Sequence, residues 1–134
     1  MKKLYLFPLH TTIVPNERIP LHVFEDRYKR MIKKCLKSKS EFGIVQKIKN
    51  KICSVGCAVK IEIVVDEYDN GEYNIIVRGT KRFKIVSKKN YLGLWIGDIS
   101  YLNDQSSKVD PKIIRRVHDK YLKTLIANKA IHNF

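Results

Sequence analysis

Residues 57–68, CAVKIEIVVDEY, alternate apolar and polar side chains and run straight into Asp69-Asn70-Gly71. A period of two over so many residues defines a half-buried β-strand, and the triplet carries the chemistry of a tight hairpin turn. Cys57, Val59, Ile61, Ile63 and Val65 are expected on one face, with Lys60, Glu62 and Asp66 on the other. The return strand places Tyr73, Ile75 and Val77 together, is interrupted at Gly79-Thr80, and resumes over Arg82–Val86. A glycine inside a strand pattern signals a bulge or a bend. A chain built around this hairpin needs a curled antiparallel sheet to cover its apolar face.

Further strands are expected over 4–7, closed by Pro8, over 42–48, and over 94–102. Leu9 to Pro20 contains Pro15 and Pro20, so it reads as an extended loop wrapped around the fold. Phe24 to Leu36 reads as a helix, with Phe24, Tyr28, Met31, Ile32, Cys35 and Leu36 on one stripe. Glu25 and Asp26 open it and Lys33, Lys34 and Lys37 close it, an order that complements the helix dipole. Asp110-Pro111 reads as the start of a second helix, over about residues 110–127, after a short linker. The expected class is α+β: one domain over 1–134, β-rich over 1–104, with a C-terminal helix that packs back or docks elsewhere.

Charge narrows the partners. There are 27 Lys and Arg against 13 Asp and Glu, a net +14, which favours acidic proteins or polyanions. The basic residues are scattered as KK, KR and KNK rather than gathered in one stripe, which weakens a nucleic-acid reading. No apolar run approaches a membrane span, and no signal sequence is visible. Three cysteines without such a signal point to free thiols in a reducing, cytoplasmic setting.

The segment IPLHVFEDRY, residues 19–28, holds the densest mixture of chemistry. His22, Glu25 and Asp26 are metal-ligand types, but adjacent helical residues diverge by about 100°. The better reading is a structural joint: Leu21 or Val23 packs beside the helix start and Arg27 ties down a loop or a carboxylate. Arg82 is expected to face inward and clamp this joint to the sheet, through Glu25 or a nearby carbonyl. Cys53 and Cys57 lack the C-x₂-C spacing of zinc sites, and in an extended chain they stand about 13 Å apart, too far for a disulfide. His10, His22, His118 and His132 lie apart, and no G-x-S-x-G elbow or phosphate loop is present. No catalytic residue, cofactor or metal site is assigned.

Five segments in order carry a resemblance: LFPLHTTIVPNERIPLHVFEDRYKRMIKKCL, FGIV, VGCAVKIEIV, DNGEYNIIVRGTKRFKIV and YLGLWIGDISYL. They are similar to the N-terminal domain of the ATP-dependent Lon protease family, with its LFPL opening, PLHIFEPRY helix start, FGVV strand and G-x-x-R-F strand. Asp26 stands where that pattern often has proline, and Cys57 where it has threonine. The resemblance implies a twisted, partly closed, six-stranded PUA-like β-barrel with one packed helix. It also implies a non-catalytic module that binds unfolded or client proteins, as an adaptor in proteolysis beside a separate protease or ATPase partner. The ATPase and Ser-Lys protease modules of that family have no counterpart in the sequence, so a free-standing domain is expected, with self-association as an option.

An apolar groove beside an exposed strand edge would serve that role. Of the candidates Phe7, Ile13, Val14, Ile19, Tyr91, Leu92 and Trp95, only Val14, Ile19 and Tyr91 are expected to be exposed, and the others more naturally pack in the core. Val14, Ile19, Tyr91, Leu92 and Trp95 are the expected substrate-binding residues. The competing reading is an RNA-binding PUA-like domain, which the positive charge suits.

Overall fold

A computed structural model describes residues 2–102; the helix expected over 110–127 lies outside the described residues. The described elements are β1 (Lys2–Leu9), β2 (Arg18–Val23), α1 (Asp26–Ser38), β3 (Phe42–Ile48), β4 (Lys51–Glu67), β5 (Tyr73–Tyr91) and β6 (Leu94–Tyr101).

The sheet runs in the order β2-β5-β4-β3-β1-β6, and β5 also pairs with β6. That extra pairing closes β5, β4, β3, β1 and β6 into a ring. The length of β5 makes this closure feasible: its first part pairs with β2 from Tyr73 to Arg78, and its last part with β6 from Phe83 to Tyr91. β1 and β3 are parallel, with β2 and α1 forming the crossover between them.

The 57–68 alternation lies within a longer strand, and the Asp69-Asn70-Gly71 turn forms as its chemistry requires. Gly71 has φ +87°, and the Asn70 side chain accepts from the Glu72 amide at 3.0 Å. Register shifts interrupt β4 between Ile61 and Ile63 and between Val64 and Asp66. A shift of one residue moves a side chain to the other face, so Ile63, expected inward, is 52% exposed.

Each ring strand feeds two cores. Adjacent residues Leu6 and Phe7, Ile44 and Val45, and Cys57 and Ala58 are all buried, on opposite faces. One core joins Phe7, Phe42, Val59, Ile75 and Val77 to the helix residues Tyr28, Met31, Ile32 and Cys35. The other gathers Leu4, Leu6, Val45, Ala58, Phe83 and Ile99, with all five ring strands contributing.

The helix lies two residues further along the chain than its apolar pattern, over Asp26–Ser38. It starts at Asp26 behind Glu25, which has extended backbone, so Phe24 precedes the first turn and is 59% exposed. Leu36 is also exposed, because the buried stripe follows Tyr28, Met31, Ile32 and Cys35. Lys39 ends the helix in the left-handed conformation, with its amide on the Cys35 carbonyl.

Two prolines, one expected to close a strand and one to lie in a loop, sit inside strands. β1 continues through Pro8 to Leu9, where its pairing with β6 has already ended at Leu6. Pro20 lies in β2, an outer strand paired only with β5. Both have one free flank, the setting in which a missing amide leaves no ladder bond unmade. The 9–20 loop is therefore shorter than its prolines suggest. β5 runs on through Gly79, and its register with β4 shifts between the pairs Val59–Gly79 and Cys57–Arg82, the irregularity that the glycine signals. Gly79 exchanges two backbone hydrogen bonds with that loop, Asn16 N to Gly79 O and Glu17 O from Gly79 N, both 2.8 Å. A Cβ at Gly79 would press on the Val14 carbonyl oxygen, so only glycine lets the loop lie this close.

Candidate functional site

A cleft of about 650 Å³ opens where four parts of the chain converge. Pro8 and Leu9 at the end of β1, with His10, form one wall. The start of α1 contributes Glu25, Arg27 and Tyr28. The β3–β4 hairpin brings Lys47, Asn50, Lys51 and Ile52, and Lys88 of β5 and Trp95 of β6 complete the lining.

The local sequence explains each part. Lys49 and Asn50 both have positive φ, 49° and 66°, making a two-residue hairpin turn whose twist matches its strands. Across it Lys47 pairs with Ile52 and so shares its face. Leu92 and Gly93, φ 54° and 84°, form a second such turn between β5 and β6, with the Asn90 side chain accepting from the Gly93 amide at 3.1 Å. This turn is bolted to the helix: Arg27 Nη1 donates to the Gly93 carbonyl at 2.9 Å and Arg30 Nη2 to the Leu92 carbonyl at 3.2 Å.

The cleft is basic, not apolar as expected. Its one carboxylate, Glu25, is gripped by Arg27 through Nε at 2.9 Å and Nη2 at 2.8 Å. The Arg27 guanidinium also lies 4.7 Å from the Tyr28 ring centroid. Burial pushes the Tyr28 hydroxyl pKa up, with Arg27 acting the other way. Lys47, Lys51 and Lys88 are exposed and make no ion pair among the described residues; the Lys88 ammonium stands 5.4 Å from the Trp95 ring centroid. With Glu25 and Arg27 cancelling, three lysine charges are left facing the cleft.

The 19–28 stretch is resolved as a joint. His22 hydrogen-bonds Asn74 at 2.7 Å and faces Glu72 at 3.2 Å, Glu25 holds Arg27, and Asp26 pairs with Lys29 at 3.3 Å. The three candidate ligands therefore point at different partners, and no cluster of metal-ligating side chains occurs among the described residues. Glu25, one partner expected for Arg82, is held by Arg27, which lies beside it at the helix start. Cys35 and Cys57 are buried and Cys53 half-buried; all three are free thiols.

The five expected binding residues fall into two groups. Tyr91 and Leu92 are 66% and 71% exposed at the second turn, and half-buried Trp95 lies in the cleft beside it. Val14 and Ile19 are half-buried elsewhere, Val14 against Gly79 and Ile19 across from Val77. Phe7 and Ile13 are buried core residues. Lys47, Lys51 and Lys88 were not legible as site residues, since only the two hairpins bring them to Arg27.

Among the described residues, a ring of strands with one helix packed on it carries a concave basic cleft, a form suited to holding a ligand. No described helix is long and apolar enough to cross a membrane. A family model for the ATP-dependent protease La (LON) substrate-binding domain matches residues 3–133, and the chain belongs to that family. It is similar to the crystal structure of a Lon N-terminal domain protein from Xanthomonas campestris. The identity is 29% and the TM-score 0.72, over 91% of this chain and 74% of that one. The fold is also that of the N-terminal domain of Mycobacterium avium complex Lon protease, at 18% identity and TM-score 0.62, over 98% of this chain and 70% of that one. The matched unit is a substrate-binding domain and not a catalytic one.

Proposed function

We propose that the chain is a non-catalytic module that holds polypeptide segments of client proteins, and that it serves as a cytoplasmic adaptor delivering them to an ATP-driven protease. Membership of the substrate-binding family supports the class of ligand. The cleft beside the exposed Tyr91-Leu92 turn carries the reading, because it joins a concave wall to accessible apolar side chains. Trp95 is the anchor within the cleft and Tyr91 and Leu92 extend the contact outward. Val14 and Ile19 form a lesser contact along the β2 edge.

An RNA-binding role is the competing reading, favoured by the cleft's lysines. Base stacking needs open aromatic faces, whereas Tyr28 is buried and Trp95 half-buried. That arrangement supports the polypeptide reading.

Trp95 is the only tryptophan in the chain, so its emission reports on the cleft alone. Titration with a permanently unfolded polypeptide that contains no tryptophan, reduced and carboxymethylated ribonuclease A, is expected to shift that emission saturably. An unchanged spectrum at millimolar polypeptide, with single-stranded RNA giving the shift instead, would replace this reading with the RNA one.

A further inference from the structure

Resting on the polypeptide-binding reading, we infer that the cleft selects acidic segments: an extended stretch carrying Asp or Glu next to an apolar side chain. The cleft has a charge and an apolar floor, and each asks something of the ligand. Lys47 and Lys51 come from one hairpin and Lys88 from β5, so the three ammonium groups rim the cleft from two sides. None has a carboxylate partner among the described residues, and the cleft's only acid is already held by Arg27. Ile52 shares a face with Lys47, and Trp95 lies beneath Lys88, so each side of the rim pairs a cation with apolar surface. A neutral apolar segment would leave the lysines without partners, and a basic one would be repelled. An acidic segment with interspersed apolar residues meets both demands.

The role differs from that of the scattered surface lysines. Lys37, for instance, sits exposed in the last turn of α1 and is not part of this cleft's lining.

The test compares fluorescein-labelled twelve-residue peptides of one apolar frame, carrying four Glu, four Gln or four Lys, with a single-stranded RNA dodecamer. Each is titrated by anisotropy against the whole protein, the triple variant Lys47→Glu/Lys51→Glu/Lys88→Glu, and the control Lys37→Glu. The Glu peptide is expected to bind at least about tenfold tighter than the Lys peptide in low salt, from about threefold per lysine. That preference should shrink in 0.5 M NaCl, reverse in the triple variant and persist in the control. Because the three lysines are exposed, the triple variant is expected to keep the parent melting temperature; if it does not, single Gln substitutions carry the comparison. Equal binding of the Glu, Gln and Lys peptides overturns the charge selection and leaves the polypeptide reading standing. Binding of RNA alone, with no peptide bound, overturns both.

Discussion

Arg27 Nη1 donates to the carbonyl oxygen of Gly93 at 2.9 Å, joining the first turn of the helix to a turn 66 residues later in the chain. The rest of the same guanidinium grips Glu25, so one side chain fixes the helix start, the β5–β6 turn and one wall of the cleft. Arg27→Ala is expected to lower stability by about 1–2 kcal/mol, the range for charged hydrogen bonds discounted for partial exposure. Arg27→Lys should recover only part of this, since an ammonium cannot span both partners. Urea melts of the three proteins check the order.

The ring interior is packed against glycine. A Cβ at Gly43 would come within 2.7 Å of Phe83 Cζ, and Phe83 is fully buried. Gly43→Ala is expected to cost about 1–3 kcal/mol by overpacking, and Phe83→Leu about 1–2 kcal/mol by underpacking. The double variant should cost less than the sum, because removing the ring tip frees the space the new methyl needs. A double-mutant cycle in urea measures the difference.

Leu92 adopts φ 54°, a conformation that costs a residue with a branched side chain about 1 kcal/mol or more. It is also among the most exposed apolar side chains described. Leu92→Asn keeps the turn with a residue that tolerates it, so stability should hold or rise by about 0.5 kcal/mol. Affinity for unfolded polypeptide should meanwhile fall by about threefold, from lost apolar contact. A thermal melt and the Trp95 titration, run on the same samples, separate the two effects.

Burial pushes the Cys57 thiol up to about 12, its hydrogen-bonding and charge contacts notwithstanding. In the unfolded chain the same thiol ionises at its ordinary, lower pKa. Between those two values the unfolded state holds fewer protons, so its stabilising effect is complete below about pH 9 and is lost as pH rises towards 12. The slope from this one group approaches about 1.4 kcal/mol per pH unit. Cys57→Ala should flatten the alkaline limb of a stability–pH curve. In the native protein at pH 8 a thiol reagent should label half-buried Cys53 first, with Cys35 and Cys57 reacting only on unfolding.

Much of the fold could be read from local chemistry. The β4–β5 hairpin, the helix and strands β1, β3 and β6 follow from alternation, turn triplets and a helical stripe, and the five ordered segments pointed to the Lon N-terminal family. Three things were hidden for specific reasons. Pro20 reads as a strand breaker, yet an outer strand with one open flank accepts it. Ile63 belongs to an inward face by period, but the register shift at Ile61–Ile63 turns it out. The basic cleft left the least trace. Arg27, the Lys47–Lys51 hairpin and Lys88 are far apart in sequence and look like scattered surface charge, and only long-range closure of the ring and its two left-handed turns assembles them.

Hydrogen exchange measured with and without carboxymethylated ribonuclease A tests most directly that polypeptide is held in this cleft. Slowed exchange is expected over residues 47–52 and 88–95, the hairpin segments that line it, with little change over 60–66 on β4. Protection concentrated on β4 around exposed Ile63 and Val64, with the two hairpin segments unaltered, would contradict it.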